Sequence, residues 1–150
     1  MESIKKNIKG EKFVFDKSGS IFLEKLNALI FSDLHLGKSL SFADHGNFIP
    51  PYDLDETILN LKNIIEKYKP KRLISLGDSF HENKSIHKIK KKYVNAINSL
   101  LDKIDITWIE GNHDSNLMFK DKIQGNFKNF YKLKNFKFVH SKSEINEVNI

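Results

Sequence analysis

The chain has the signature of an α/β protein, and three observations carry that conclusion. The run Leu26-Asn27-Ala28-Leu29-Ile30-Phe31 has the near-continuous apolarity of a strand buried on both faces, and it stops at Ser32-Asp33-Leu34-His35. The same arrangement recurs three times. Lys71-Arg72-Leu73-Ile74-Ser75-Leu76 ends in Gly77-Asp78, Ile104-Asp105-Ile106-Thr107-Trp108-Ile109 is followed by Glu110-Gly111-Asn112-His113-Asp114, and Phe136-Lys137-Phe138-Val139 ends at His140. Between these runs lie stretches with helical spacing, so strands alternate with helices, which predicts a βαβαβ core with parallel strands and right-handed crossovers.

Taken in order, residues 1 to 11 are polar and are expected to fray. Glu11 to Asp16 and Ser20 to Glu24 are short β-prone stretches around Lys17-Ser18-Gly19, a hairpin expected to cover the edge of the sheet. After the strand ending at Phe31, the segment from Gly37 to Tyr52 is irregular and carries Asp44, His45 and Pro50-Pro51, which predicts a loop beside the strand end. A helix is expected from Asp53, as N-cap with Glu56 three residues on, with Leu54, Ile58, Leu61, Ile65 and Tyr68 on one face and Pro70 as its stop. A second helix is expected from Ile86 to Leu101, with Ile86, Ile89, Tyr93, Ile97 and Leu100 inward. Lys120 to Leu133 is ambiguous, with Phe127, Phe130 and Tyr131 expected to pack.

The 150 residues are expected to form a single domain, residues 1–150, with one core. The absence of cysteine excludes disulfides and thiolate metal sites, so any metal must be held by carboxylate, amide and imidazole groups. No apolar run approaches the about 18 residues of a membrane-spanning helix, and the N-terminus lacks a signal-peptide core, so a cytoplasmic protein without a membrane partner is expected. The formal net charge is +6, and every basic residue except Arg72 is lysine. Such a surface attracts polyanions, yet a proteome-wide lysine bias is the favoured explanation; Lys88, Lys90, Lys91 and Lys92 form the densest cluster.

Residues i and i+2 of an extended chain point to the same side, so Asp33 and His35 can converge on one small volume. Strand ends are where open α/β sheets place their ligands. Asp33 and His35 can hold one divalent ion and Asn112 and His140 another, with the two oxygens of Asp78 as the bridge. Gly77 and Gly111 are expected to provide the sharp turns that bring these groups together. Two ions about 4 Å apart suit phosphoryl chemistry, since they generate a hydroxide nucleophile near neutral pH and stabilise charge on the phosphate. His113 is placed to protonate the leaving oxygen, with Asp114 orienting its ring.

The ordered set Asp33-x-His35, Gly77-Asp78, Gly111-Asn112-His113-Asp114 and His140 resembles the calcineurin-like metallophosphoesterase superfamily. Within it, Ser32-Asp33-Leu34-His35-Leu36-Gly37-Lys38-Ser39, the loop reaching Ile49-Pro50, and Leu76-Gly77-Asp78-Ser79-Phe80-His81 look like the ligase-associated DNA damage response endonuclease (PdeM) family. The resemblance spans about Phe13 to His140. It implies a metal-dependent phosphodiesterase or endonuclease in DNA repair, using two divalent ions, manganese first and iron or zinc as alternatives. It also implies DNA as substrate and a DNA ligase or other repair protein as partner. His81 belongs to the family-like Gly-Asp-x-Phe-His run and is a further candidate near the site. The superfamily's G-H-x-H motif does not follow His140, so the expected metallophosphoesterase-like core is C-terminally incomplete, and truncation is favoured over degeneration. A small-molecule phosphatase or cyclic-nucleotide phosphodiesterase shares the same metal chemistry, and a non-catalytic scaffold that binds metal weakly is the alternative from another class.

Overall fold

The computed structural model describes residues 3–39, 52–80, 89–112 and 121–141. Lys9 and Gly10 both have positive φ, 49° and 78°. That is the backbone of a two-residue hairpin turn whose twist matches that of its flanking strands. It joins β1 (Ile4–Ile8) to β2 (Glu11–Phe15), which pair antiparallel with Ile8 opposite Glu11. The N-terminal segment is therefore a strand and not a frayed tail: the Lys-Gly turn outweighs its polarity, and Phe13 and Val14 of β2 are buried beside it. Lys5 and Lys6 on this outermost strand discourage further strands from adding to it. β3 (Ile21–Leu23) pairs with β2 through the predicted turn, which is closed by Asp16 N–H to Ser20 O at 2.9 Å. β4 (Ala28–Phe31) then pairs antiparallel with β3, so the hairpin extends the sheet along the first central strand.

From β4 onward the sheet is parallel. β5 (Arg72–Ser75), β6 (Asp105–Ile109) and β7 (Asn126–Lys128) follow in spatial order, giving seven strands in the sequence β1-β2-β3-β4-β5-β6-β7. α1 (Tyr52–Tyr68) connects β4 to β5, and α2 (Lys91–Leu101) lies between β5 and β6. Leu54, Leu61 and Ile64 of α1 are buried, while Ile58, Ile65 and Tyr68 pack at the margin of the same cluster. Asp53 is inside the first turn and not its N-cap; its carboxylate accepts hydrogen bonds from the backbone N–H of Ser39 at 3.0 Å and from the Ser39 hydroxyl at 2.5 Å. α2 begins five residues later than its apolar spacing suggests, because Lys90 is extended at ψ 140°, and Leu101 takes the buried position expected of Leu100. Ile89 is buried ahead of the helix, and Ile86 lies outside the described residues.

Strand alternation sorts the core into two layers. Leu29 and Phe31 of β4, Leu73 of β5, and Ile106 and Trp108 of β6 face the helices, where they join Leu54, Leu61, Tyr93 and Ile97. Ala28 and Ile30, Ile74 and Ile109 face the opposite way and meet Phe136 and Phe138. Those phenylalanines belong to β9 (Phe136–Val139), which pairs antiparallel with β8 (Phe130–Leu133) in a separate two-stranded sheet. The fourth β-prone run is thus not a parallel strand of the main sheet; it packs across the sheet's second face. Phe127 stacks on Trp108 at 6.2 Å and Tyr131 on Phe138 at 6.3 Å, whereas Phe130 is 49% exposed. Buried on both faces, the central strands explain the near-continuous apolarity that made them legible.

Candidate metal centre

The carboxyl ends of β4 and β5 are sewn together beyond the last ladder residue. Leu76 N–H donates to Phe31 O at 2.8 Å, Asp33 N–H to Gly77 O at 3.2 Å, His35 N–H to Asp78 O at 3.0 Å, and Leu36 N–H to Ser79 O at 2.9 Å. Asp33, His35 and Asp78 have φ of 55°, 43° and 49°. Left-handed backbone at a non-glycine residue costs about 1 kcal/mol or more each, and it persists where surrounding structure enforces it. Here the cross-loop hydrogen bonds enforce it, and the result is convergence. Asp33, His35 and Asp78 each offer one ligand atom, all within 4.8 Å of one another. The Asp33 side chain is 58% exposed and that of Asp78 11%, so the group runs from solvent into the fold.

His140 reaches Asp78 from the other layer, with Nε2 3.7 Å from Asp78 Oδ2. Its Nδ1 lies 2.9 Å from Leu76 O, a carbonyl that can only accept, so Nδ1 donates there and Nε2 is the ring nitrogen turned toward Asp78. Ring orientation by a backbone carbonyl is how metal-binding imidazoles are prepared. The donor set fits a divalent ion of the borderline or hard type, since it consists of carboxylate oxygen and imidazole nitrogen. The 3.7 Å separation, and the 3.8 Å between His35 Nε2 and Asp33 Oδ1, are too long for hydrogen bonds. They are close to the spacing of two atoms that each bind one ion at about 2.1 Å.

Two glycines make room for this approach, each for its own reason. At Gly77, with φ 104°, a Cβ would stand 2.4 Å from His140 Nδ1. At Gly111 a Cβ would stand 2.3 Å from Asp78 Oδ1, so what this glycine supplies is clearance, and the sharp turn expected there belongs to Gly77 alone. Asn112 is exposed and lines a cleft of about 260 Å³ together with His140, Glu110 and Lys137. His113 and Asp114 lie outside the described residues, as do Asp44, His45, His81 and Lys88. Residues that sequence reasoning missed are Leu76, whose carbonyl sets the His140 tautomer, and Ser39, which ties the loop after β4 to α1. A carbonyl leaves no trace in residue identity. The short polar side chain of Ser39, between an apolar run and a helical one, was a visible signal.

Carboxylates and imidazoles gathered at the ends of parallel strands, with a second sheet behind them, define an α/β protein with a candidate metal centre at its strand ends. The family model described as calcineurin-like phosphoesterase matches residues 26–149, and the chain belongs to that family. The crystal structure of Pseudomonas putida nuclease MPE is similar to it, with a TM-score of 0.64 and 20% sequence identity over 90% of this chain and 64% of that one. At that identity the likeness speaks for the fold, and this chain spans less than two thirds of the solved neighbour. No curated protein matches the sequence. Among the described residues, no helix is long and apolar enough to cross a membrane.

Proposed function

We propose that this chain belongs to a metal-dependent phosphodiesterase acting on DNA, of the PdeM type, and that residues 1–150 form one domain of it. The observation that carries the reading is the convergence of Asp33, His35 and Asp78 within 4.8 Å, with His140 turned toward Asp78 by the Leu76 carbonyl. In this reading Asp33, His35 and Asp78 hold one divalent ion, Asp78, Asn112 and His140 hold the second, and manganese is the first candidate for both. When bound, such ions act as Lewis acids toward a phosphoryl oxygen and acidify water near neutral pH. Asp78 is nearly buried, belongs to the Asp33 and His35 group and has Oδ2 3.7 Å from His140 Nε2, which supports it as the residue the two sets share. His140 contributes a fixed lone pair, because its proton is committed to Leu76 O. His113 delivers a proton to the leaving oxygen and Asp114 orients it, a pairing supported by their adjacency to Asn112. The family membership and the description of the solved neighbour as a nuclease support a phosphodiester substrate.

The test is hydrolysis of bis(p-nitrophenyl) phosphate and of single-stranded and duplex DNA, with and without added manganese. Metal-dependent turnover of the diester and of DNA, lost in Asp78→Asn, is the expected result. Turnover of p-nitrophenyl phosphate in place of both diesters would replace the reading with a phosphatase. Tight manganese binding with no hydrolysis at all would leave a non-catalytic metal-binding protein.

A further inference from the structure

A second cleft, of about 360 Å³, adjoins the candidate centre at Asp33, and His140 is not among its lining residues. One wall is the turn between β2 and β3, the other is the flank of α1 that carries Thr57 and Asn60, and the floor is the end of β4 from Phe31 to Leu34. Asp33 therefore belongs both to this cleft and to the candidate metal group. Its volume falls at the lower end of the about 300–1,000 Å³ typical of small-molecule sites.

Its chemistry differs from that of the rest of the surface. The polar lining is neutral, with hydroxyls of Ser18, Ser20, Ser32 and Thr57 and the amide of Asn60, and Asp33 is the one charged residue among the described residues that line it. The chain as a whole carries 25 lysines and arginines. Among the described residues that line it there is no cation, so the body of the cleft offers a phosphate no counter-charge. Hydroxyls and an amide that both donate and accept, interleaved with apolar side chains of β4 and α1, match the sugar hydroxyls, base edges and flat faces of a nucleoside.

The serine wall is also held in place. Asp16, whose side chain is 3% exposed, accepts from the Ser18 N–H at 2.9 Å and from the Tyr68 hydroxyl at 2.7 Å, and pairs with Lys67. Ser18 and Ser20 hydroxyls lie 2.9 Å apart above it. A wall anchored through a buried carboxylate to α1 keeps a constant distance from Thr57 and Asn60, which is what a preorganised pocket requires.

We infer that this cleft seats the nucleoside attached to the scissile phosphate, with its phosphate directed to the Asp33, His35 and Asp78 end. The inference rests on the phosphodiesterase reading and adds the polarity of the substrate: a neutral nucleoside on the Asp33 side. Two measurements on the full chain test it separately from activity. In amide-resolved NMR titrations, thymidine is expected to shift the signals of Ser18, Gly19, Thr57 and Asn60, and inorganic phosphate is expected to leave them in place. Asn60→Leu, with an otherwise unchanged spectrum, should weaken the thymidine response about tenfold, the size of one lost polar contact of about 1.4 kcal/mol. In the metal-loaded protein, Asn60→Leu and Thr57→Val should raise KM for the p-nitrophenyl ester of thymidine 5′-monophosphate by a larger factor than KM for bis(p-nitrophenyl) phosphate. Thymidine shifts confined to other residues, equal shifts with phosphate, or parallel kinetic losses on both esters would each overturn the assignment. If thymidine seats as described but neither ester is hydrolysed, the cleft stands and the hydrolase reading falls.

Discussion

The two flanks of the candidate centre are built by opposite means. On one flank, Asp33, His35 and Asp78 ride on loops that continue the backbone hydrogen bonding of two parallel strands, at left-handed φ in all three. On the other, His140 arrives on β9 from a separate sheet, and it is placed by apolar packing of Phe136 and Phe138 and by one bond to Leu76 O. The first flank is local and stiff, whereas the second depends on how well two layers dock. Damage to the core behind β9 should therefore reach His140 first.

The largest effect should come from the residue common to both flanks. Asp78→Asn is expected to abolish metal binding at both sets, a loss beyond the about 10–100-fold that outer-shell partners command, while Asn112→Ala lowers stoichiometry by one ion. Elemental analysis of the purified variants decides this, and equal loss in the two would mean that Asp78 is not shared.

A smaller effect should separate the flanks. Phe138 is fully buried between the sheets, so Phe138→Ala is expected to destabilise by about 3–5 kcal/mol, with Phe138→Leu as a milder version that stays folded. Manganese titration of the leucine variant should show weakened affinity for one ion and near-normal affinity for the other. Uniform weakening would show that the first flank also leans on the second sheet.

The smallest effect concerns acid. Burial alone would raise Asp16, but hydrogen bonds from Lys67, the Ser18 N–H and Tyr68 outweigh it and hold the carboxyl well below its ordinary value of 3.8. A carboxyl depressed in the folded state contributes stability that is fully present above the unfolded value and is lost as pH falls through it toward the folded value. Asp16→Asn should cost about 2 kcal/mol at neutral pH and progressively less below about pH 4. Denaturant unfolding at pH 7 and pH 3 measures both, and a gap between wild type and variant that does not narrow at pH 3 would contradict the assignment.

The first flank was more legible in sequence than the second. Apolar runs that end abruptly at Asp33, Gly77-Asp78 and Gly111-Asn112 report buried parallel strands and the ligand-bearing loops at their ends, because burial on both faces leaves few polar positions, such as Ser75 and Thr107, to blur the pattern. Phe136 to Val139 was recognisable as a strand, but its partner β8 alternates only between half-buried and exposed positions, so nothing pointed to a separate sheet. The N-terminal strand was missed because Ile4 to Ile8 is exposed along most of its length and only the Lys9-Gly10 turn announces it. Asp53 looked like a helix cap because its nearer competitor for that carboxylate, Ser39, is remote in sequence.

Delivery of His140 from the second sheet also bears on how the protein folds. Asp33 and His140 are separated by most of the chain, and contacts of that span form late because loop closure must precede any reward. An ion that binds both flanks gains its full affinity only after the sheets have docked, and mass action then returns that affinity as resistance to unfolding. Metal uptake followed in time during refolding should consequently lag behind the appearance of secondary structure and coincide with the docking of Phe136 and Phe138 on the main sheet. The centre would act as a clock for the last step of assembly.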